Sequence, residues 1–286
     1  MFKIYKSLTP IDIYNPPEPI AVDIIDKNFI DTDVVLGDRF YYRVSATKNG
    51  VEKFSDQVIG IAGEIDEYFS YVELLIFADA DTFPSIVFKD SSSFARTVTY
   101  AGGAKIVAPQ VFTQKYDNGS INIPGSGGRV DASIIPLGTS DFTIECWAAL
   151  LTLMQGNSRV LWQLGNNADS IRISVSSDGR LWLEIKTYTF IGLIITSSAI
   201  ALNNWHHICV IRKNGVFYLF INGSRIGVNG DYIANISTTT FSIGNGTAST
   251  SISNSWDGYV SSVRITKNIV RYGLSGFLPP TTKFPQ

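Results

Sequence analysis

The chain has 286 residues, 45% of them apolar and only 17% charged, and its 23 Lys+Arg against 25 Asp+Glu leave a net charge of −2. A chain this apolar supports a sizeable core and argues against disorder, while the near-neutral balance argues against a nucleic-acid binder, which needs a basic stripe. Two cysteines exclude a disulfide framework and a Cys-rich zinc site, two histidines leave histidine chemistry scarce, and no apolar run reaches the roughly 20 residues of a membrane helix. The start, Met1 to Pro10, carries no apolar stretch of signal-peptide length, and at roughly 150 residues per domain about two domains are expected.

In chain order, Pro16, Pro17 and Pro19 interrupt the first stretch. Strand-like runs follow at Phe40–Ala46 and Val58–Ala62, with Lys48-Asn49-Gly50 as the turn expected to join them. From about 64 to 125 the pattern loosens. Val72–Ala78 and Arg96–Tyr100 read as strands, and Pro124–Gly128 as a flexible loop. Ile171–Val175 then alternates apolar and polar residues, Ser177-Asp178-Gly179 turns the chain, and Leu181–Ile185 alternates again. His206–Arg212 returns through Asn214-Gly215 to Val216–Ile221, and Asn222-Gly223 turns once more into Ser224–Ile226. Asx-Gly pairs supply the positive φ of tight hairpins, so the spacing predicts one antiparallel meander over residues 170–228. Helical stripes, heptads and 20–50-residue repeats are missing from the sequence. The class is all-β.

An ordered series of segments then carries a family resemblance over residues 68–286: Asp141–Trp147, Asn204–Arg212, Val216–Gly223, Phe241–Gly244 and Trp256–Thr266. The series resembles the laminin-G-like, concanavalin A-type jelly-roll sandwich. The closing Thr266–Tyr272 with Phe277-Leu278-Pro279-Pro280 resembles the version found in bacteriophage structural proteins. Over residues 1–62, Leu36, Tyr42, Val44 and Ala46 resemble the tyrosine corner and following strand of a fibronectin type III domain, with Lys3–Ser7 as a middle strand. A whole domain of that kind takes about 100 residues. The expected organisation is therefore a partial fibronectin III-like docking domain at 1–63 and a laminin-G-like sandwich at 64–286, the half domain completed by another chain through strand addition. Tyr5, Tyr42 and Val44 are the docking residues this implies.

The candidate chemistry is thin. Glycosidases on this sandwich use a strand of the form Glu-x-Asp-x-x-Glu. Glu64-Ile65-Asp66-Glu67-Tyr68-Phe69 begins that way but ends in Phe69, and catalytic residues are not expected. Asp31 with Asp33, and Asp79 with Asp81, are paired carboxylates without the continuation of a calcium loop. The resemblance allows calcium in rim loops with ligands unassigned, and no cofactor is expected. Cys146 and Cys209 sit in apolar runs and read as buried thiols. The adjacent His206 and His207 point to opposite faces of a strand, so they are framework rather than one metal site. Sequons at Asn118, Asn222, Asn235 and Asn245 read as turn chemistry.

The favoured binding group is Trp182 with Glu184 and Arg172. On their hairpin Leu181, Leu183 and Ile185 share one face, leaving Trp182 beside polar groups on the other. A ring beside polar groups is what a sugar site uses, stacking on the sugar's apolar face while the polar groups meet its hydroxyls. Packing under a loop competes with that reading. Trp162, Tyr188, Tyr232 and Trp256 are weaker candidates of the same kind. The resemblance implies a non-enzymatic bacteriophage virion protein, a capsid decoration, collar, tail or baseplate accessory. It would assemble in the bacterial host cytoplasm, dock on other virion proteins through its N-terminal part, oligomerise in the particle and display a glycan- or protein-binding surface. The alternatives are a surface carbohydrate-binding adhesin and, more remotely, a divergent glycan hydrolase.

Overall fold

A computed structural model describes residues 2–25, 29–34, 39–61, 66–108, 116–166, 170–187, 190–230, 235–246 and 254–286. The chain divides into two compact units, Met1–Asp66 with Pro285–Gln286, and Glu67–Phe284. Among the described residues no helix is long and apolar enough to cross a membrane.

In the first unit, β1 (Phe2–Ser7), β2 (Pro19–Ile24), β3 (Arg39–Lys48), β4 (Val51–Phe54) and β5 (Val58–Ile61) form one antiparallel sheet. β1 lies between β2 and β3, while β4 pairs the C-terminal half of β3 and β5 its N-terminal half. The turn at Asn49-Gly50, with φ of 52° and 77°, therefore leads into β4 and not directly into Val58–Ala62 as expected. Val51-Glu52-Lys53-Phe54 is half polar and too short to announce itself as a strand. Ile4, Tyr5, Ile11 and Phe40 are buried, whereas Val22, Val51 and Val58 remain 53%, 60% and 62% exposed.

Among the described residues of the second unit a 3₁₀ turn at Phe69–Tyr71 precedes fifteen strands. These are β6 (Val72–Ile76), β7 (Val98–Ala101), β8 (Lys105–Val107), β9 (Ser120–Ile123) and β10 (Arg129–Ser133), followed by β11 (Phe142–Leu150), β12 (Arg159–Gly165), β13 (Ser170–Val175), β14 (Arg180–Thr187) and β15 (Phe190–Ala199). β16 (Trp205–Lys213), β17 (Val216–Ile221), β18 (Ser224–Asn229), β19 (Thr240–Ile243) and β20 (Gly258–Lys267) complete the set. One sheet has the order β15-β14-β13-β12-β19-β10-β7, and the other β18-β17-β16-β11-β20-β9-β8 with β6 also on β20. All these strand pairs are antiparallel.

The core lies between the two sheets. Alternation supplies it from both sides: Ile171, Ile173, Leu181 and Leu183 from one sheet, Ile144, Cys146, Ile208 and Val210 from the other. The expected all-β sandwich is thus observed. The meander expected over 170–228, however, is two meanders. β13-β14-β15 belong to the seven-stranded sheet and β16-β17-β18 to the eight-stranded one. The chain changes sheets between Ala199 and Trp205, and Gly192 and the Thr196-Ser197-Ser198 tail obscure β15 in the sequence.

The two Asn-Gly turns behave as their chemistry dictates, with φ of 50° and 82° at Asn214-Gly215 and 50° and 76° at Asn222-Gly223. At Asp178-Gly179 only the glycine has positive φ, 81°, in a longer connection between β13 and β14. Gly223 is required twice, because a Cβ there would stand 1.9 Å from the Phe277 carbonyl oxygen. That contact belongs to a strap. After β20 the chain packs Val270, Tyr272, Leu274 and Phe277 on Cys209, Ile211 and Phe220, then sets Phe284 against Val72, Leu75 and Phe77. Ile208 and Val210 face the core, so Cys209 and Ile211 face outward, and the strap covers the outer face of the eight-stranded sheet.

Candidate functional site

The outer face of the seven-stranded sheet carries a row of polar side chains. Register places Thr99, Asp131, Ser242, Gln163, Arg172 and Glu184 opposite one another in turn across six strands. Their chain neighbours Val130, Phe241, Trp162, Ile171 and Leu183 face the core, so the period of two puts the row on the other side.

At one end the three residues favoured from the sequence come together. Arg172 Nη2 stands 3.0 Å from Glu184 Oε1, with both side chains about three-quarters buried. Two positions along β14, Trp182 faces the same way, opposite Ser174 on β13 and Ile195 on β15. Leu193 and Ile195 beside it are 39% and 36% exposed. Trp182 is half-buried. Its indole Nε1 is occluded with no hydrogen-bond partner among the described residues, so the ring is what it can offer a ligand. Trp162 and Trp256, the weaker candidates, are instead core residues at 1% and 0% exposure. Trp162 packs on Phe241 at 5.8 Å between ring centroids, and Trp256 Nε1 donates to the Ala149 carbonyl at 3.2 Å. Tyr188 and Tyr232 lie outside the described residues, as do Leu36, Glu64 and Ile65.

At the other end of the row, Thr97, Thr99, Arg129, Asp131, Ser133, Thr240 and Ser242 line a cleft of about 270 Å³. Arg129 Nε donates to Asp131 Oδ2 at 2.7 Å, and Ser242 Oγ donates to Asp131 Oδ1. Between cleft and tryptophan, Gly246 closes over Gln163: a Cβ there would meet Gln163 Oε1 at 2.5 Å. The cleft was missed in the sequence. Its one signal is the alternation Arg129-Val130-Asp131-Ala132-Ser133, which places three polar groups on one face.

Beneath the strap, the eight-stranded sheet holds a buried ionic network. Arg264 Nε and Nη2 donate to Glu145 Oε1 at 2.9 and 2.8 Å. The Tyr272 hydroxyl donates to Glu145 Oε2 at 2.7 Å, and His207 Nε2 stands 3.0 Å from the same oxygen. Burial pushes the Glu145 carboxyl up, but Arg264, His207 and Tyr272 overcome it and hold it at about 2. Burial and the Glu145 charge push the Tyr272 hydroxyl far up. His207 is fully buried while His206 is partly exposed, its Nε2 3.0 Å from the Ala201 carbonyl, so the two rings take opposite faces as expected. Cys146 and Cys209 are free and buried, and burial raises both thiols.

Of the docking residues, Tyr5 is 3% exposed and Val44 37%. Tyr5 is thus a core residue rather than a contact surface, and its hydroxyl donates to Glu52 Oε1 at 2.8 Å. Tyr42 is half-buried and donates to Asp31 Oδ2 at 2.8 Å. Burial and the Asp31 charge push its hydroxyl up to about 12. Asp31 also pairs with Lys6 at 2.9 Å, and Asp79 pairs with Lys283 and accepts from the Asn118 backbone. Among the described residues no three His, Cys, Asp or Glu side chains converge to hold a metal ion.

Two antiparallel sheets with an open polar face on one of them define a lectin-type β-sandwich. Residues 124–270 match the concanavalin A-like lectin/glucanases superfamily, and the chain belongs to that family. Among solved structures, the binding domain of botulinum neurotoxin serotype D/C is similar with a TM-score of 0.55 and 16% identity, over 71% of this chain and 50% of that one. Botulinum neurotoxin type C, which depends on interaction with two ganglioside molecules to enter cells, gives 0.54 and 16% over 71% and 49%. The serotype D binding domain gives 0.55 and 11% over 71% and 49%. The chain thus spans about half the length of these structures, and the likeness is one of fold. No curated protein matches the chain.

Proposed function

We propose that this chain is a non-catalytic glycan-binding protein whose recognition surface is the outer face of the seven-stranded sheet. The observation that carries the reading is the grouping of Trp182 with the Arg172–Glu184 ion pair on a partly exposed stretch of that face. The indole ring supplies a stacking surface for the apolar side of a sugar, and the ion pair supplies a donor and an acceptor for its hydroxyls. The lectin-type family and the ganglioside dependence of the type C neurotoxin support the same ligand class.

The face is poorly arranged for hydrolysis. Among the described residues its carboxylates Asp131 and Glu184 stand four strand spacings apart, about 19 Å, against the roughly 5–10 Å that glycoside hydrolysis requires. Each is also engaged by an arginine. The test is a glycan array of neutral and acidic surface oligosaccharides probed with the labelled full chain. Binding that Trp182→Ala weakens is the expected result. A silent array, or binding indifferent to that change, would count against the reading.

The setting we propose is a bacteriophage virion, with the N-terminal unit as the fibronectin III-like docking part. What supports docking is the small buried core of that unit beside exposed Val22, Val44 and Val58, because exposed apolar groups on a sheet invite a partner. Co-sedimentation with phage particles lacking the protein should succeed and should fail for Val44→Lys.

A further inference from the structure

We propose that the cleft at the β7–β10–β19 end of the polar row is a second saccharide site, separate from the Trp182 surface, that takes a single neutral sugar ring. The inference rests on the glycan-binding reading above and assigns residues that the reading does not use. Five hydroxyl side chains, from Thr97, Thr99, Ser133, Thr240 and Ser242, converge there around Arg129 and Asp131. Hydroxyls both donate and accept, as the hydroxyls of a sugar do.

The central pair is fixed. Arg129 and Asp131 are two apart on β10 and so share a face, joined at 2.7 Å through Nε. Ser242, itself buried, holds the other carboxylate oxygen. With Nε committed, the two terminal Nη groups of Arg129 remain as donors toward the cleft, and the carboxylate oxygens of Asp131 keep lone pairs as acceptors. A donor and an acceptor side by side match vicinal hydroxyls.

Charge and size narrow the class. One cation and one anion leave the lining neutral, which favours neither a uronic acid nor an amino sugar. The volume of about 270 Å³ lies just under the roughly 300 Å³ at which drug-sized ligand clefts begin, which is room for one ring. Trp182 on β14 also stands three strand spacings from β19, about 14 Å, with Gly246 seated on Gln163 between them. One sugar therefore does not span both.

The experiment is saturation-transfer NMR on the full chain with the methyl glycosides of glucose, galactose and mannose, and with glucuronic acid as the acidic comparison. The variants are Asp131→Asn, Thr99→Phe and Trp182→Ala. Thr99→Phe puts a ring into the cleft from an exposed strand position that suits an aromatic, so the test does not hang on a variant that alters the ion pair. The expected result is transfer to at least one neutral glycoside that persists in the Trp182→Ala chain, where only the cleft is left to bind, and is weakened about tenfold or lost when Asp131→Asn or Thr99→Phe is added to it. Transfer lost in Trp182→Ala and kept in both cleft variants would overturn the cleft while leaving the glycan-binding reading intact. Binding of array oligosaccharides without transfer to any monosaccharide would do the same, as would a preference for glucuronic acid. No transfer and a silent array together would overturn both.

Discussion

The two outer faces of the sandwich meet opposite fates. On the eight-stranded sheet the chain covers its own surface with the strap from Val270 to Phe284, and the charged groups under it pair with one another. On the seven-stranded sheet the ends of a polar row stay open, and the tryptophan and arginines there keep part of their surface in solvent. Burial is what separates a structural ionic group from a recognition one. Glu145 is fully buried, with no face left to solvent, so it is committed to the fold. Glu184 and Asp131 face a partly open surface and retain capacity for a ligand.

The comparison can be broken at several points. The largest effect belongs to Arg264→Leu, which leaves Glu145 buried without its cation. A loss of about 3–5 kcal/mol in urea unfolding is expected, and a second change, Glu145→Leu, should recover much of it. A loss under about 1 kcal/mol would mean that the network is slack.

Next in size is acid. The Glu145 carboxyl is held at about 2 in the fold against an ordinary 4.5, so its contribution is complete above about pH 4.5 and lost as the pH falls toward 2. Stability should drop by about 3 kcal/mol over that window, and Glu145→Gln should flatten much of the slope in pH-dependent denaturation. Gly223→Ala follows, at about 1–3 kcal/mol, because the new methyl strikes the Phe277 carbonyl at a φ of 76°. Limited proteolysis should then cut the strap faster than in the parent chain. Smallest is Trp182→Ala, which should shift unfolding by less than about 1 kcal/mol, since the side chain is half-buried on an outer face.

How much of this the sequence disclosed depends on how local the signal was. The Asn214-Gly215 and Asn222-Gly223 turns and the alternation of Leu181–Ile185 depend on neighbours alone, and they placed β14, β16, β17 and β18 well. The sheet change near Leu202 looked like any other turn, because which sheet a strand joins is decided by distant pairing. Trp182, Arg172 and Glu184 were legible together because one hairpin carries all three. The cleft was not, because its residues come from positions 97–99, 129–133 and 240–242 and meet only when β19 inserts between β10 and β12. Trp162 misled for the opposite reason. A bulge after Val160 shifts the register on β12, so Leu161 and Trp162 both face the core where simple alternation would have separated them.

The central claim, that the open face recognises and the strapped face holds, is tested most directly by one glycan-array comparison of the full chain with Trp182→Ala and Tyr272→Phe. Tyr272→Phe removes a hydrogen bond to Glu145 Oε2 and should lower stability by about 1.5–3 kcal/mol while leaving glycan signal unchanged. Trp182→Ala should do the reverse, lowering signal from a chain that unfolds almost as before. Signal that survives Trp182→Ala but disappears with Tyr272→Phe would contradict the account and move recognition to the strapped face.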